Sequence, residues 1–353
     1  MKIIHCADLH LGSQLTSLPT GTIRNTRKND ILASFNRLID YAKNNDIKII
    51  VLSGDVFDSD RPTKKDKNFF YAAVRANRDI TFLYLRGNHD VAESLTESLD
   101  NLKVFSDSWT SYKYDNVTIS GIELSSNNKS SLYSTLSLDK DDLNVVMMHG
   151  DIYSKGKEYI DLKKLGNKNI DYLALGHIHK YGEARIDNRG IAVYPGCLDG
   201  RGFDELGEKG FVLLDIQDNT INYQFVPFSS RLVIEKNVDI SNADMLYEAK
   251  SIVESEIDSI SENSMVKIVL TGNVDFDTSN IDKDIESFLS NRFFFLKVYS
   301  SVKQNVKIEE FMNDLSLKGE FVRTVIQDQE LKEDEQNEIL ILGMKLLNGE
   351  DIE

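Results

Sequence analysis

The chain has 353 residues, 41% of them hydrophobic and 28% charged, and carries a net charge of −16 at neutral pH. That length is more than one hydrophobic core usually serves, so two domains are expected, and the composition excludes a disordered or fibrous chain. Two cysteines exclude a disulfide framework, and no apolar run approaches the ~20 residues of a membrane span. The opening "MKIIHCADLHLG" is too short and polar an apolar run for a signal peptide, which makes the expected location cytoplasmic.

The first 230 residues alternate β-rich runs with helical spacing. "KIIHCAD" (2–8), "IKIIVLSGD" (47–55) and "ITFLYLRG" (80–87) read as strands that end at Gly or Asp. Between them, Ile31, Phe35, Leu38, Ile39 and Ala42 recur with helical period over 30–45, and residues 66–77 predict a second helix. Further strands are expected at 116–124, 144–151, 171–177, 190–196, 210–216 and 221–228. The fold class this predicts is a two-sheet α/β sandwich over 1–230.

After Arg231 the pattern changes. Residues 231–330 predict a small α/β domain of three strands and two helices, and a helical segment over 331–353 follows. The charge is uneven as well: residues 231–353 hold 13 Lys+Arg against 26 Asp+Glu, whereas 1–230 hold 28 against 31. An acidic C-terminal third repels nucleic acid, so contact with DNA would have to rest on the first two-thirds.

Polar residues collect where the strands end. Asp8 and His10 follow the first strand, Asp55 and Asp58 the second, Asn88, His89 and Asp90 the third. His149 and Asp151, then His177 and His179, follow two later strands, so five of the six histidines fall at such points. The sixth, His5, lies inside a strand and reads as a core residue. Open α/β sheets place ligands outside the carboxyl ends of their strands. So many charged groups in one crevice would stay unpaired unless cations neutralised them, and two divalent ions sharing one carboxylate would do so. Oxygen and nitrogen donors without thiolate suit Mn²⁺, with Fe or Zn²⁺ as alternatives. Cys6 and Cys197 read as buried apolar residues.

The ordered blocks "DLH", "GDVFD", "GNHD", "HGD" and "GHIH", spread over residues 8–179, resemble the calcineurin-like metallophosphoesterases. The resemblance implies a dinuclear centre in which Asp8, His10, Asp55 and His179 hold one ion and Asp55, Asn88, His149 and His177 the other. It leaves His89 free as a general acid or transition-state donor, oriented by Asp90. The block "YPGCLDGRGFDELGEKGFVLLDI" (194–216) further resembles the SbcD-type branch of DNA-repair nucleases, with Cys197 in place of a small serine. That branch implies a metal-dependent DNA exo- or endonuclease of double-strand break repair. It also implies a capping domain, a homodimer and an SbcC-like ATPase partner of the SMC class, for which the apolar positions of 333–348 offer a docking helix. A small-nucleotide phosphodiesterase, a phosphoprotein phosphatase and a non-catalytic DNA-end scaffold remain open. Two cationic clusters, Arg24, Arg27 and Lys28, then Arg61, Lys64 and Lys65, are expected to meet the DNA backbone.

Overall fold

In the computed structural model, residues 1–59, 62–90, 97–305 and 308–347 are described, and the chain divides into two compact units after Val233. The first unit runs β1 (Lys2–Cys6), α1 (Thr22–Asn44), β2 (Ile49–Ser53), α2 (Lys64–Ala76), β3 (Thr81–Leu85) and β4 (Leu102–Val104). It continues through β5 (Thr110–Tyr114), β6 (Val117–Gly121), β7 (Leu143–His149), α3 (Leu162–Leu165), β8 (Tyr172–Gly176), β9 (Gly182–Arg185), β10 (Ile191–Tyr194), β11 (Gly210–Gln217) and β12 (Thr220–Pro227).

These strands form two six-stranded sheets, ordered β12-β11-β1-β2-β3-β4 and β5-β6-β7-β8-β10-β9. The two-sheet α/β sandwich is thus the observed architecture. Successive side chains on a strand point to opposite faces, and the alternation is visible in β7. Val145 and Met147 join Ile3, Val51, Leu83 and Ala174 in the core between the sheets, whereas Val146 and Met148 face a second cluster with Leu132, Ile160 and Leu165. Helices cover the first sheet, with Phe35 of α1 against Phe70 of α2 and Phe82 of β3. His5 lies within the core, bonded to Tyr172 Oη at 2.9 Å and the Leu175 carbonyl at 3.2 Å. Burial pushes its imidazole down to about 3, so it is neutral there.

Strands β1, β2 and β3 pair in parallel, as do β6, β7 and β8. Parallel pairing puts their carboxyl ends at one edge, which is what gathers residues distant in sequence into one crevice.

The second unit holds a three-stranded sheet, β13 (Val233–Asp239), β14 (Met265–Thr271) and β16 (Phe295–Ser300), and a short pair, β15 (Asn273–Val274) with β17 (Lys303–Gln304). Helices α4 (Leu246–Ile257) and α5 (Ile281–Phe288) pack on it through Val253, Ile257, Ile281 and Ile285. Helices α6 (Ile308–Met312), α7 (Leu317–Gln327) and α8 (Glu333–Leu347) follow. On α8, Leu340 is buried with Val322 and Val325, while Ile339, Leu342 and Leu346 are exposed. No helix among the described residues is long and apolar enough to cross a membrane.

Candidate metal centre

The turns after β1, β2 and β8 hold their residues in unusual backbone states. Asp8, His10, Asp55 and His177 all have positive φ, at 52°, 46°, 51° and 103°. Such conformations cost non-glycine residues free energy and collect where function needs a fixed side-chain direction. Two glycines make room for them: a Cβ at Gly54 (φ 96°) would overlap the His149 ring, and one at Gly87 would overlap the Asp55 carboxylate.

Three groups of donors converge, the third being His10, Asp58 and His89. In the first, ligand atoms of Asp8, His10 and His179 lie within 4.8 Å of one another, and His10 Nε2 faces His179 Nε2 at 3.0 Å. The outer nitrogens are engaged elsewhere: His10 Nδ1 lies 3.0 Å from Asp58 Oδ1, and His179 Nδ1 lies 2.7 Å from Glu205 Oε1. A carboxylate partner fixes the ring proton on the outer nitrogen. Both Nε2 lone pairs then point at one place, and a cation there resolves the clash.

In the second group, Asp8, Asp55 and His149 bring one ligand atom each within the same 4.8 Å. Asn88 Oδ1 lies 3.0 Å from His149 Nε2 and 3.1 Å from His177 Nδ1. His149 Nδ1 sits 2.9 Å from the Ser53 carbonyl, which fixes its proton there. Asp55 stands between the first two groups, its Oδ2 3.4 Å from His149 Nε2 and 3.9 Å from His10 Nε2.

The protonation equilibria say the same. Burial raises the Asp8 carboxyl to about 6 and lowers His10 to about 4. Burial would also lower His149, but the adjacent Asp55 and Asp8 carboxylates outweigh it and hold the imidazole at about 9. Asp55 is pulled below the usual carboxylate range, its own burial opposed by the His149 bond and charge. Without cations the crevice retains protons at donor atoms, and carboxylate, amide and imidazole donors in this arrangement fit two divalent ions.

Some expected residues take other places. The Asp90 carboxylate does not meet the His89 ring. Its oxygens accept from Gly87 N at 2.6 Å, Val56 N at 2.9 Å and Tyr84 Oη at 2.8 Å, so it braces the turns after β2 and β3 rather than an imidazole. His89 itself is exposed beside the first group, its ring 5.1 Å from that of His10 and its Nδ1 3.3 Å from the Asp58 carbonyl. Arg27 is fully buried, which removes it from the expected DNA contacts. It pairs with Asp199 and the Gly200 carbonyl and donates to Ser230 Oγ at 2.7 Å. The reason is periodic: Arg27 continues the buried stripe of Ile31, Ser34, Phe35 and Leu38 on α1.

Arg24 bonds to the Leu18 carbonyl, and Lys28 reaches Gln14 Oε1 at 3.4 Å. Lys64 and Lys65 are exposed in the first turn of α2, and Asp66 of that turn lies against Gly12 in the loop after β1. Arg61 lies outside the described residues.

Sequence reasoning assigns no role to Arg201, Glu205 or Lys209. Arg201 donates to Asp58 Oδ1 at 2.6 Å and to Glu205 Oε1 at 2.9 Å, joining the two carboxylates behind His10 and His179. Lys209 Nζ bonds the His179 carbonyl at 2.7 Å. The signal is present in the block 194–216, which reads locally as a turn closing a sheet.

A family model described as calcineurin-like phosphoesterase matches residues 1–181. The DNA double-strand break repair protein Mre11 of Sulfolobus acidocaldarius is 26% identical over 287 residues, covering 74% of this chain and 71% of that protein. The metallophosphoesterase YhaO of Bacillus subtilis is 27% identical over 300 residues, covering 77% and 72%. A component of the nuclease SbcCD of B. subtilis is 32% identical over 99 residues, covering 27% of this chain and 24% of that one.

Proposed function

The chain belongs to the calcineurin-like phosphoesterases, a family with a dinuclear metal centre, and within it we propose a metal-dependent DNA nuclease that hydrolyses phosphodiester bonds in double-strand break processing. The observation that carries the nuclease reading over a phosphatase is the 194–216 block. Its Glu205 and Lys209 both bond to His179, which supports counting the segment that resembles the SbcD-type branch with the centre. The names of the relatives, Mre11 and the nuclease SbcCD, support the same branch.

Two divalent ions, Mn²⁺ foremost, would activate a water and stabilise charge at phosphorus. The chain's own residues do the positioning. Asp8, His10, Asp55, Asn88, His149, His177 and His179 supply the donor atoms, and the Asp90 bonds hold the turns carrying Asp55 and Asn88 in register. His89 is exposed beside His10 and Asp58, and its ring is proposed to give a proton to the departing oxygen. Lys64 and Lys65 stand in a first helical turn, where the helix dipole disfavours cations. A phosphate backbone passing the loop after β1 would offset that cost.

The test is cleavage of end-labelled linear duplex DNA at low salt with Mn²⁺, Mg²⁺ or EDTA, with His89→Ala beside the wild type. Metal-dependent shortening that falls about 10²–10⁴-fold in the variant, with metal content unchanged, is expected. A variant that cuts as well as the wild type would remove His89 from the chemistry. DNA left intact while small diesters turn over would favour the nucleotide phosphodiesterase. An SbcC-like ATPase is proposed to dock on α8 through Ile339, Leu342 and Leu346. Co-purification undiminished by Leu342→Asp would sink that assignment.

A further inference from the structure

Beside the second donor group lies a cavity of about 600 Å³ whose wall includes Asn88 and His149. It opens among the turn after β3, the segment after β6 and the segment after β7. Its other walls are mixed. Leu124, Leu132 and Tyr159 are apolar or aromatic, Lys129 and Lys157 are cationic, Glu158 is anionic, and Ser125 and Ser126 are polar. The two segments are tied together, since Lys129 Nζ donates to the Lys157 carbonyl at 3.0 Å. Arg86 and Glu123, also in the wall, form a fork-shaped pair at 2.8 and 2.7 Å, which holds both groups in fixed directions.

We propose that this cavity is a nucleoside subsite, taking the sugar and base attached to a phosphate held at Asn88 and His149. The proposal rests on the reading of the chain as a phosphodiesterase of nucleic acid and adds which form of it the centre accepts. A phosphate at the second donor group has its ester substituent begin at the shared wall, so the substituent enters the cavity. The volume lies in the range of pockets for whole small ligands, and a methyl or seryl ester would leave most of it empty. Aromatic and apolar walls with a few fixed polar groups suit the faces and edges of a base. Lysines at the rim suit the next phosphate. A base seated against Leu124, Leu132 and Tyr159 has left its stack, so the accepted end is one unpaired nucleotide.

The experiment compares three esters with the same p-nitrophenolate leaving group, in the presence of Mn²⁺: thymidine 5′-(p-nitrophenyl phosphate), its 3′ isomer and methyl p-nitrophenyl phosphate. At least one thymidine ester is expected to exceed the methyl ester about tenfold in kcat/KM, the gain lying in KM. Ser126→Phe, at an exposed position of the cavity wall, should bring that ratio towards one, and Leu124→Phe serves as a second filler. A readout without turnover comes from Trp109, the single tryptophan, whose Nε1 donates to the Leu132 carbonyl at 3.0 Å. Titration of thymidine monophosphate into EDTA-treated protein should shift its emission saturably, and Ser126→Phe should abolish the shift. Equal kcat/KM for all three esters with a silent Trp109 overturns the subsite and leaves the phosphodiesterase reading standing. A saturable Trp109 response with no ester hydrolysed supports the subsite and overturns that reading instead.

Discussion

The two halves of the donor crevice are built differently. Behind His10 and His179 stand carboxylates, Asp58 and Glu205, and Arg201 spans both. Behind His149 the Ser53 carbonyl lies at 2.9 Å, with the Asp8 carboxylate farther off at 3.9 Å, and Asn88 beside it is exposed next to the 600 Å³ cavity. A carboxylate-backed imidazole is a stronger and more rigid donor than one backed by a neutral carbonyl. The first half is therefore suited to retain a cation. The second is suited to share its cation with a substrate.

The most severe perturbation of this asymmetry is at Asp55, the carboxylate between the halves. Asp55→Ala is expected to abolish diester hydrolysis and to lower metal content below one ion per chain by elemental analysis. Retention of two ions would show that the halves are independent. Glu205→Gln should be selective, because it removes the carboxylate behind His179 alone. About 10–100-fold weaker binding of one ion, with the other unchanged, is the expected calorimetric result. Equal weakening of both would erase the distinction.

A smaller effect separates the halves by pH. Asp8 is raised to about 6 and His149 to about 9, and an entering cation must displace protons from these atoms. Affinity therefore rises with pH wherever a donor starts protonated, by up to about tenfold per unit for each proton displaced. Binding that depends on Asp8 should level off above about pH 6, whereas binding that depends on His149 should keep strengthening towards about pH 9. Calorimetry in two buffers of different ionisation enthalpy counts the protons released, and none released at pH 7 would contradict the assignment.

The smallest expected change lies outside both halves. Lys64→Ala with Lys65→Ala should lower the log–log salt slope of duplex binding by about 2, at about 0.9 per phosphate contact. Hydrolysis of a methyl ester should be insensitive to the pair, and an unchanged salt slope would remove α2 from the DNA path.

Much of the centre is legible in the sequence because its donors are written as short blocks at strand ends. A hydrophobic run that stops at "ADLH", "SGD" or "RGNHD" reveals both a buried strand and the crevice beyond it. Arg27 misleads for the opposite reason. In "RNTRKND" it looks like one cation among three, and only extending the stripe from Ile31 back by one turn puts it on the buried face. Asp90 follows His89 in sequence, which suggests a pair, yet the tight turn sends its carboxylate back to Gly87 N and Val56 N. Strands β4, β5 and β9 escape notice because they are short and, Leu102 apart, hold only exposed or half-buried residues.

Most of the strand–helix order, the two-sheet class and the clustering of candidate donors at strand ends follow from the amino-acid chain read locally, because period, punctuation and side-chain chemistry are local properties. Which nitrogen of each imidazole faces inward follows only from packing. That choice depends on partners far away in sequence, such as Glu205 for His179 and Ser53 for His149. Packing likewise closes one half of the centre with Arg201 and sets the other beside a cavity. Parallel pairing brings strand ends together, but what stands behind them is set by loops whose conformation only the packed sheets fix.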